Sequence, residues 1–271
     1  MLVGTPIGNL GDMSPRAVEA LTTADTIACE DTRRARALLS HLGVPGGRRL
    51  LAVHAHNEMA SVGAVLDRLD RGERVAVVTD AGMPGISDPG ERLVAAAAAA
   101  GHVVEVVAGP SALIVALVAS GLSTGRFCFE GFLPRKGAAK AQRLAEVAAE
   151  PRTVVLFEAP HRVRQTVADL FAVAGELRRV AIARELTKLH EEIWRGTLGG
   201  AVEHLGSKDP RGEYVLVLDG APPPGPAEET DIEAALRSRI GAGLDKRSAI
   251  VEVATVLQVP KRLVYDIALR L

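Results

Sequence analysis

Through the first half of the chain, short apolar runs alternate with segments whose apolar residues recur at helical spacing. The pattern predicts strands over residues 2–5, 26–30, 50–54, 74–79 and 103–107, and helices over 14–24, 32–41, 58–71 and 89–100. Ser14-Pro15 pairs an N-cap residue with proline at the first helical position, and Asp88-Pro89 repeats the device. Strand–helix alternation of this kind builds an α/β layer around a mainly parallel sheet. A helix over 111–120 leads into a second block, with strands over 127–132, 153–157, 179–184, 193–197 and 213–218 and helices near 140–149 and 161–174. Toward its end strands follow one another with no helix between them, which predicts a mixed sheet.

The pattern then breaks. "APPPGPAEET", residues 221–230, holds four prolines and one glycine in ten positions and reads as a linker. Residues 231–271 read as three short helices, with apolar positions at helical spacing on both sides of Val259-Pro260, in the manner of a helix-turn-helix pair. The expected organisation is an α/β domain over 1–112, a second over 113–220, the linker, and a small helical domain over 231–271. That last segment carries seven basic and five acidic residues. It reads equally as a solvated helical hairpin or as a nucleic-acid contact.

Composition narrows the picture. With 48% hydrophobic residues and only 3% aromatic ones, the 271-residue chain must fill its cores with Val, Leu, Ile and Ala. A formal net charge of −1 means that bulk charge predicts no nucleic-acid binding, so any such contact must come from local basic patches. Cys29 and Cys128 both sit in strand-like runs, as in a reduced cytoplasmic protein, and no cysteine or histidine spacing suggests a metal site. The opening "MLVGTPIGNLGDM" has no basic segment followed by an apolar stretch, so no leader is expected. The Ala-rich run ending at Gly101 reads as a helix followed by a strand, not as a membrane span.

Three predicted strands run into stretches that favour neither helix nor strand: "VGTPIGNLGD" at 3–12, "TDAGMPGISDPG" at 79–90 and "VAGPSA" at 107–112. Ligands of open α/β sheets bind outside the carboxyl ends of the strands. Any one loop alone would be a tight turn; three at one sheet edge make a ligand platform. A dinucleotide is a weak match, because Gly4, Gly8 and Gly11 are not spaced G-x-G-x-x-G, and no G-K-[ST] follows to make a Walker loop.

"LVGTPIGNLGD", "ACEDTRRARALL", "HNE", "VVTDAGMPGISDPG", "GPSA", "GFLPRKG", "LFEAPHR" and "RELTKLHEE" occur in that order between residue 2 and about residue 218. Together they resemble the bacterial small-subunit rRNA (cytidine-2′-O)-methyltransferases, of the tetrapyrrole-methylase class of S-adenosylmethionine (SAM)-dependent methyltransferases. The tail also resembles that family's helical domain, and an N-terminal extension of some relatives is expected to be absent. The resemblance implies two α/β domains with SAM in the cleft between them and a homodimer. It further implies, as acceptor, a ribose 2′-hydroxyl of 16S rRNA in the decoding centre. By analogy, Asp80, Gly82, Met83, Pro6, Ile7, Ser111 and Ala112 line the cofactor, and Phe157, Glu213 and Tyr214 close it from the second domain.

The remaining candidates lie in charged clusters. Arg33 and Arg34, at the start of a helix beside the ligand edge, read as RNA phosphate contacts or as members of local ion pairs. Arg135 and Lys136, in "LPRKG", are assigned to the RNA backbone. Asn57 is suited to start the following helix, and Glu58 beside it is a candidate base. Glu158, His161 and Arg162, with Arg184, Glu185 and Lys188, read either as an ion-pair network or as the apparatus for acceptor binding and proton removal, with Glu158 and Glu185 as bases. The rival readings are a small-molecule tetrapyrrole methyltransferase, a nucleotide-dependent oxidoreductase and a ligand-sensing transcription regulator. The arginine-rich motifs, the broken glycine spacing and the weakly charged tail argue against them in turn.

Overall fold

The computed structural model describes residues 1–44, 49–54, 57–206, 209–223, 228–257 and 259–271. The chain divides into two compact units, Met1–Ala221 and Pro222–Leu271. His56 and part of the proline-rich linker lie outside the described residues.

The first unit holds two sheets. The first is entirely parallel, in the order β3 (Arg49–Ala52), β2 (Thr26–Cys29), β4 (Val75–Val77), β1 (Leu2–Val3) and β5 (Val106–Val107). Helices α1 (Pro15–Thr23), α2 (Thr32–His41), α3 (Glu58–Asp70) and α4 (Glu91–Ala99) connect its strands. The central strands are buried on both faces: one cluster gathers Val3, Leu21, Ile27 and Ala76, another Ala28, Val65, Val75 and Leu93. That explains the continuous apolar runs, since a parallel sheet covered on both sides has no polar face. The strands are shorter than the apolar runs, and the residues beyond their ends form the loops.

Helix α5 (Ala112–Ala119) leads to the second sheet, in the order β6 (Phe127–Phe132), β7 (Thr153–Glu158), β10 (Tyr214–Leu218), β8 (Arg179–Arg184) and β9 (Glu192–Thr197). Only β6 and β7 run parallel; the other pairs are antiparallel. Here strict alternation sorts two cores. Val154, Leu156, Val180, Ile182, Leu216 and Leu218 face α7 (Pro160–Ala174) and its neighbours, while Val155, Ala181, Ala183, Val215 and Val217 face Ile7 and the α5 residues Ala116 and Leu117. The second cluster is what fastens the two sheets together. Each fully buried Val or Leu contributes about 1.5–3 kcal/mol.

Three expectations are corrected. Helix α8 (Leu198–Gly206) stands between β9 and β10, where strands were expected to follow directly. Helix α4 is not capped by Asp88-Pro89: its N-cap is Gly90, which makes no side-chain cap bond. Helix α6 (Gly137–Ala149) starts earlier than the pattern suggested. The second unit packs α9 (Glu229–Gly241), α10 (Lys246–Val256) and α11 (Lys261–Ala268) around Ile232, Leu236, Val253, Val264 and Ile267. Among the described residues no helix is long and apolar enough to cross a membrane.

Candidate functional site

The three glycine- and proline-rich loops meet. Thr5 and Gly82 form a two-way backbone bridge, Thr5 N–H donating to Gly82 O at 2.9 Å and Gly82 N–H to Thr5 O at 3.1 Å. The first and third loops touch backbone to backbone, so that a Cβ on Gly4 would stand 2.6 Å from Gly109 Cα. The second half of the unit closes on the first loop as well. Asn9 N–H donates to Thr187 Oγ1 at 3.0 Å, and a Cβ on Gly8 would stand 2.5 Å from the Lys188 side chain.

These contacts frame a cavity of about 360 Å³. Ile7, Asp80, Gly82, Met83, Ser111 and Ala112 line it from the loops, and Phe157, Glu213 and Tyr214 from the second sheet. Of the ten residues expected around a cofactor only Pro6 is absent; it lines an adjoining cavity of about 390 Å³ together with Ile7, Arg34, Asp80, Lys188 and Glu213. Gly82 has a φ of +80°, a conformation that keeps a side chain out of the cavity floor. Ser111 is the N-cap of α5 but makes no side-chain cap bond, so the cavity receives its hydroxyl beside the positive end of the helix. Phe157 is wedged edge-on against Phe129 and Phe132, with ring centroids 4.9 and 5.8 Å away.

Further residues line the cavity that the sequence reading did not assign, notably Asp88, Phe132 and Ala159-Pro160. Asp88 stands in the quoted loop itself but was read as a helix cap. Phe132 follows a register shift between Phe129 and Gly131 in β6, which a strand pattern does not announce.

The cavity is acidic. Asp80, Asp88, Glu158 and Glu213 line it, with Arg34 as a counter-charge. Burial, reinforced by Glu30, Asp80 and Glu213, pushes the Asp88 carboxyl up to about 7. Burial likewise raises Glu30, with Asp80 adding to it. A hydrogen bond from the Arg33 side chain holds Asp31 down at about 2. Such an enclosure suits a ligand with an apolar body and positive charge. Among the described residues no group of three or more His, Cys, Asp or Glu is placed to hold a metal ion.

The three expected bases are engaged elsewhere. Glu58 does not reach the cavity: its Oε1 accepts from Gly90 N–H at 2.9 Å and Arg92 N–H at 3.1 Å, supplying the cap that α4 otherwise lacks. Asn57 is the N-cap of α3, as expected, but its side chain makes no cap bond there and takes His54 N–H on Oδ1 at 2.7 Å. Glu158 lines the cavity, but its side chain is 0% exposed. It accepts from the Thr166 hydroxyl at 2.6 Å and Ala159 N–H at 2.8 Å and pairs with Arg162 at 3.2 Å. Glu185, at φ +50°, accepts from Lys188 Nζ at 2.7 Å and Glu213 N–H at 2.9 Å. Burial works to raise its carboxyl, but these bonds outweigh burial and leave it below its ordinary range.

The basic candidates divide. Arg33, Arg135, Lys136 and His161 are exposed. Arg34 pairs with Asp80 at 3.2 Å while its side chain remains 69% exposed. Arg162 donates to Leu133 O at 2.7 Å, Arg184 donates to Arg211 O at 2.9 Å, and Lys188 bridges Glu185 and Glu213. These last three brace the second sheet's loops.

Comparison with known proteins places this geometry. The family model of the tetrapyrrole (corrin/porphyrin) methylases matches residues 1–202. The chain is 45% identical over 100% of its length to "Ribosomal RNA small subunit methyltransferase I" of Synechocystis sp., covering 97% of that protein. It is 41% identical to the protein of the same name from Escherichia coli O157:H7, over 99% of this chain and 93% of the other. Among solved structures, the methyltransferase CobJ superposes with a TM-score of 0.60 at 20% identity, over 82% of this chain and 95% of that one. A uroporphyrin-III C-methyltransferase from Thermus thermophilus, complexed with S-adenosylhomocysteine, superposes at 0.55 and 19% identity over 80% and 95%. The low-identity structures share the fold; the full-length relatives fix the group. The chain therefore belongs to the tetrapyrrole methylase family and, within it, to the ribosomal RNA small subunit methyltransferase I proteins.

Proposed function

We propose that the chain transfers the methyl group of SAM to the 2′-hydroxyl of a cytidine ribose in 16S rRNA, in the decoding centre of the small ribosomal subunit. The observation that carries this reading is the single cavity framed by all three backbone-rich loops and closed by the second sheet. The cavity fits SAM in kind. Its volume of about 360 Å³ falls within the range of small-ligand sites. Gly82 keeps the loop backbone bare on one side, and the acid ring complements a cation. Ile7, Asp80, Gly82, Met83, Ser111 and Ala112 would hold the cofactor on one side, and Phe157, Glu213 and Tyr214 on the other. Bound there, SAM supplies a methyl already activated by its sulfonium. The protein's share is then to hold the acceptor oxygen in line, which is worth about 7–11 kcal/mol, and to take its proton, worth roughly 3–5 kcal/mol.

The exposed Arg33, Arg135 and Lys136, with Arg34 at the cavity, supply cations for the RNA backbone; such contacts position the acceptor without choosing the nucleotide. The same reading includes a homodimer in the cytoplasm. The edge strand β5 leaves Val106 exposed beside Val103, and α5, apolar along its whole length, leaves Ile114 and Val118 uncovered. Sedimentation of the purified protein at twice the monomer mass is the expected result.

The deciding experiment incubates the protein with labelled SAM and small subunits from cells lacking the modification, then maps the product by mass spectrometry. A methyl on one cytidine ribose is expected. A methyl on a base, or transfer to a porphyrin precursor in place of the subunit, overturns the reading.

A further inference from the structure

We propose that Asp88 is the group that accepts the ribose hydroxyl proton, an assignment that rests on the methyl-transfer reading above. Four carboxylates line the cavity, and three are spent on the protein itself. Asp80 accepts from Asp31 N–H at 3.2 Å and pairs with Arg34 at 3.2 Å. Glu158 is saturated by Thr166, Ala159 and Arg162. Glu213 holds Lys188 Nζ at 2.9 Å. Asp88, half-buried, has no hydrogen bond or ion pair with any described residue. A carboxylate drawn half out of water at a ligand cavity, with no partner of its own, points to a partner that arrives with the substrate.

The backbone holds it there. Ser87, immediately before it, sits at φ +60°, where a non-glycine residue is strained. The loop is braced against the bulge of β6, since a Cβ on Gly131 would stand 3.3 Å from Ser87 Oγ. Gly131, at φ +60° and without a side chain, leaves the room that Ser87 occupies beside it.

The step balances. An oxygen lone pair of the 2′-hydroxyl forms the new C–O bond, the C–S bond breaks, and its electron pair stays on sulfur as a neutral thioether. The hydroxyl proton, made strongly acidic as the C–O bond forms, passes to the Asp88 carboxylate. A cation and an anion are consumed and two neutral groups remain, a change that a water-poor cavity favours. The facing groups set the acid strength. Burial, with Glu30, Asp80 and Glu213, brings Asp88 to about 7, where a base is both ionised in good part and basic enough to act. Arg34, paired with Asp80, is the cation on the same wall.

The test compares wild type with Asp88→Asn and Asp88→Glu in single-turnover transfer to unmodified subunits across pH, and measures SAM binding by calorimetry in buffers of different ionisation enthalpy. Asp88→Asn should lose roughly 10²- to 10⁴-fold in rate, together with the acidic limb that wild type shows below neutrality once the bound cation has lowered Asp88 from about 7. Asp88→Glu should recover part of both. In wild type SAM binding should release protons near pH 7, because a bound cation favours the carboxylate; in Asp88→Asn that release should vanish while SAM still binds. Wild-type rate or an intact acidic limb in Asp88→Asn overturns the assignment. So does a loss of SAM affinity as large as the loss of rate, which would make Asp88 a cofactor-holding group. Failure of wild type to methylate subunits at any pH overturns the functional reading and the assignment together.

Discussion

Gly4 and Gly109 show how much of the site depends on absent side chains. An alanine Cβ at position 4 would lie 2.6 Å from Gly109 Cα and 2.7 Å from Met83 Sδ, and the first of these obstacles is backbone. Overpacking of this kind typically costs about 1–3 kcal/mol, so Gly4→Ala should lower the urea midpoint by that equivalent and weaken SAM binding with it. The glycine-rich composition made the loop legible in the sequence, but the partner across the gap was not, because position 109 is far along the chain. Asp88 was hidden for the same reason: Glu30 and Glu213, whose charges act on it, and Phe157 and Tyr214, which share its cavity, are far from it in the chain. Its titration also predicts a stability profile. The folded-state carboxyl is raised from 3.8 to about 7, so the unfolded chain releases this proton first. The stabilising contribution is complete below about 4 and is lost as pH rises toward 7. Asp88→Asn removes that loss. It should melt above wild type at pH 8 by the equivalent of about 1–2 kcal/mol, once screening at a half-exposed group is allowed for, and match wild type near pH 4.

At the scale of elements, local signals worked where packing agreed with them and failed where it did not. Ser14 caps α1, its Oγ accepting from Ala17 N–H at 3.1 Å, as the Ser-Pro pair announced. The equivalent Asp-Pro pair before α4 is overridden, because Asp88 is held at the cavity and Glu58 caps the helix from α3. Glu58→Ala leaves two N–H donors bare at a helix N-terminus, so a loss of about 1–3 kcal/mol in denaturant unfolding is expected, with SAM affinity changed little. A catalytic Glu58 would instead lose rate without losing stability. Helix α8 escaped notice because Gly199 and Gly200 weaken its pattern. Gly199 answers to packing, since a Cβ there would come 2.7 Å from the Glu176 side chain, whereas one at Gly200 would make only an ordinary contact with the Trp194 ring at 3.5 Å. The alternating strands of the second sheet were legible because both of its faces are sorted by parity.

For the whole molecule, charge separates two tasks that the net value of −1 conceals. Acid is concentrated around the cavity, where a cation suits it, while Arg33, Arg135 and Lys136 stand in solvent. Arg33 already spends part of its charge on Asp31 at 2.9 Å. Arg135 and Lys136, at the N-terminal end of α6, have no hydrogen bond or ion pair within the described residues. Phosphate binding by such residues is paid for by counterion release, so each neutralised phosphate adds about 0.7–0.9 to the slope of log affinity against log salt. Replacing both Arg135 and Lys136 by Ala should weaken binding to small subunits and reduce that slope by roughly 1.5. SAM affinity should stay at the wild-type level, because neither residue lines the cavity. A filter-binding series over a range of potassium chloride concentrations reads the slope directly. An unchanged slope would remove α6 from the RNA interface and leave the acceptor to be held by Arg34 and the residues at the cavity mouth.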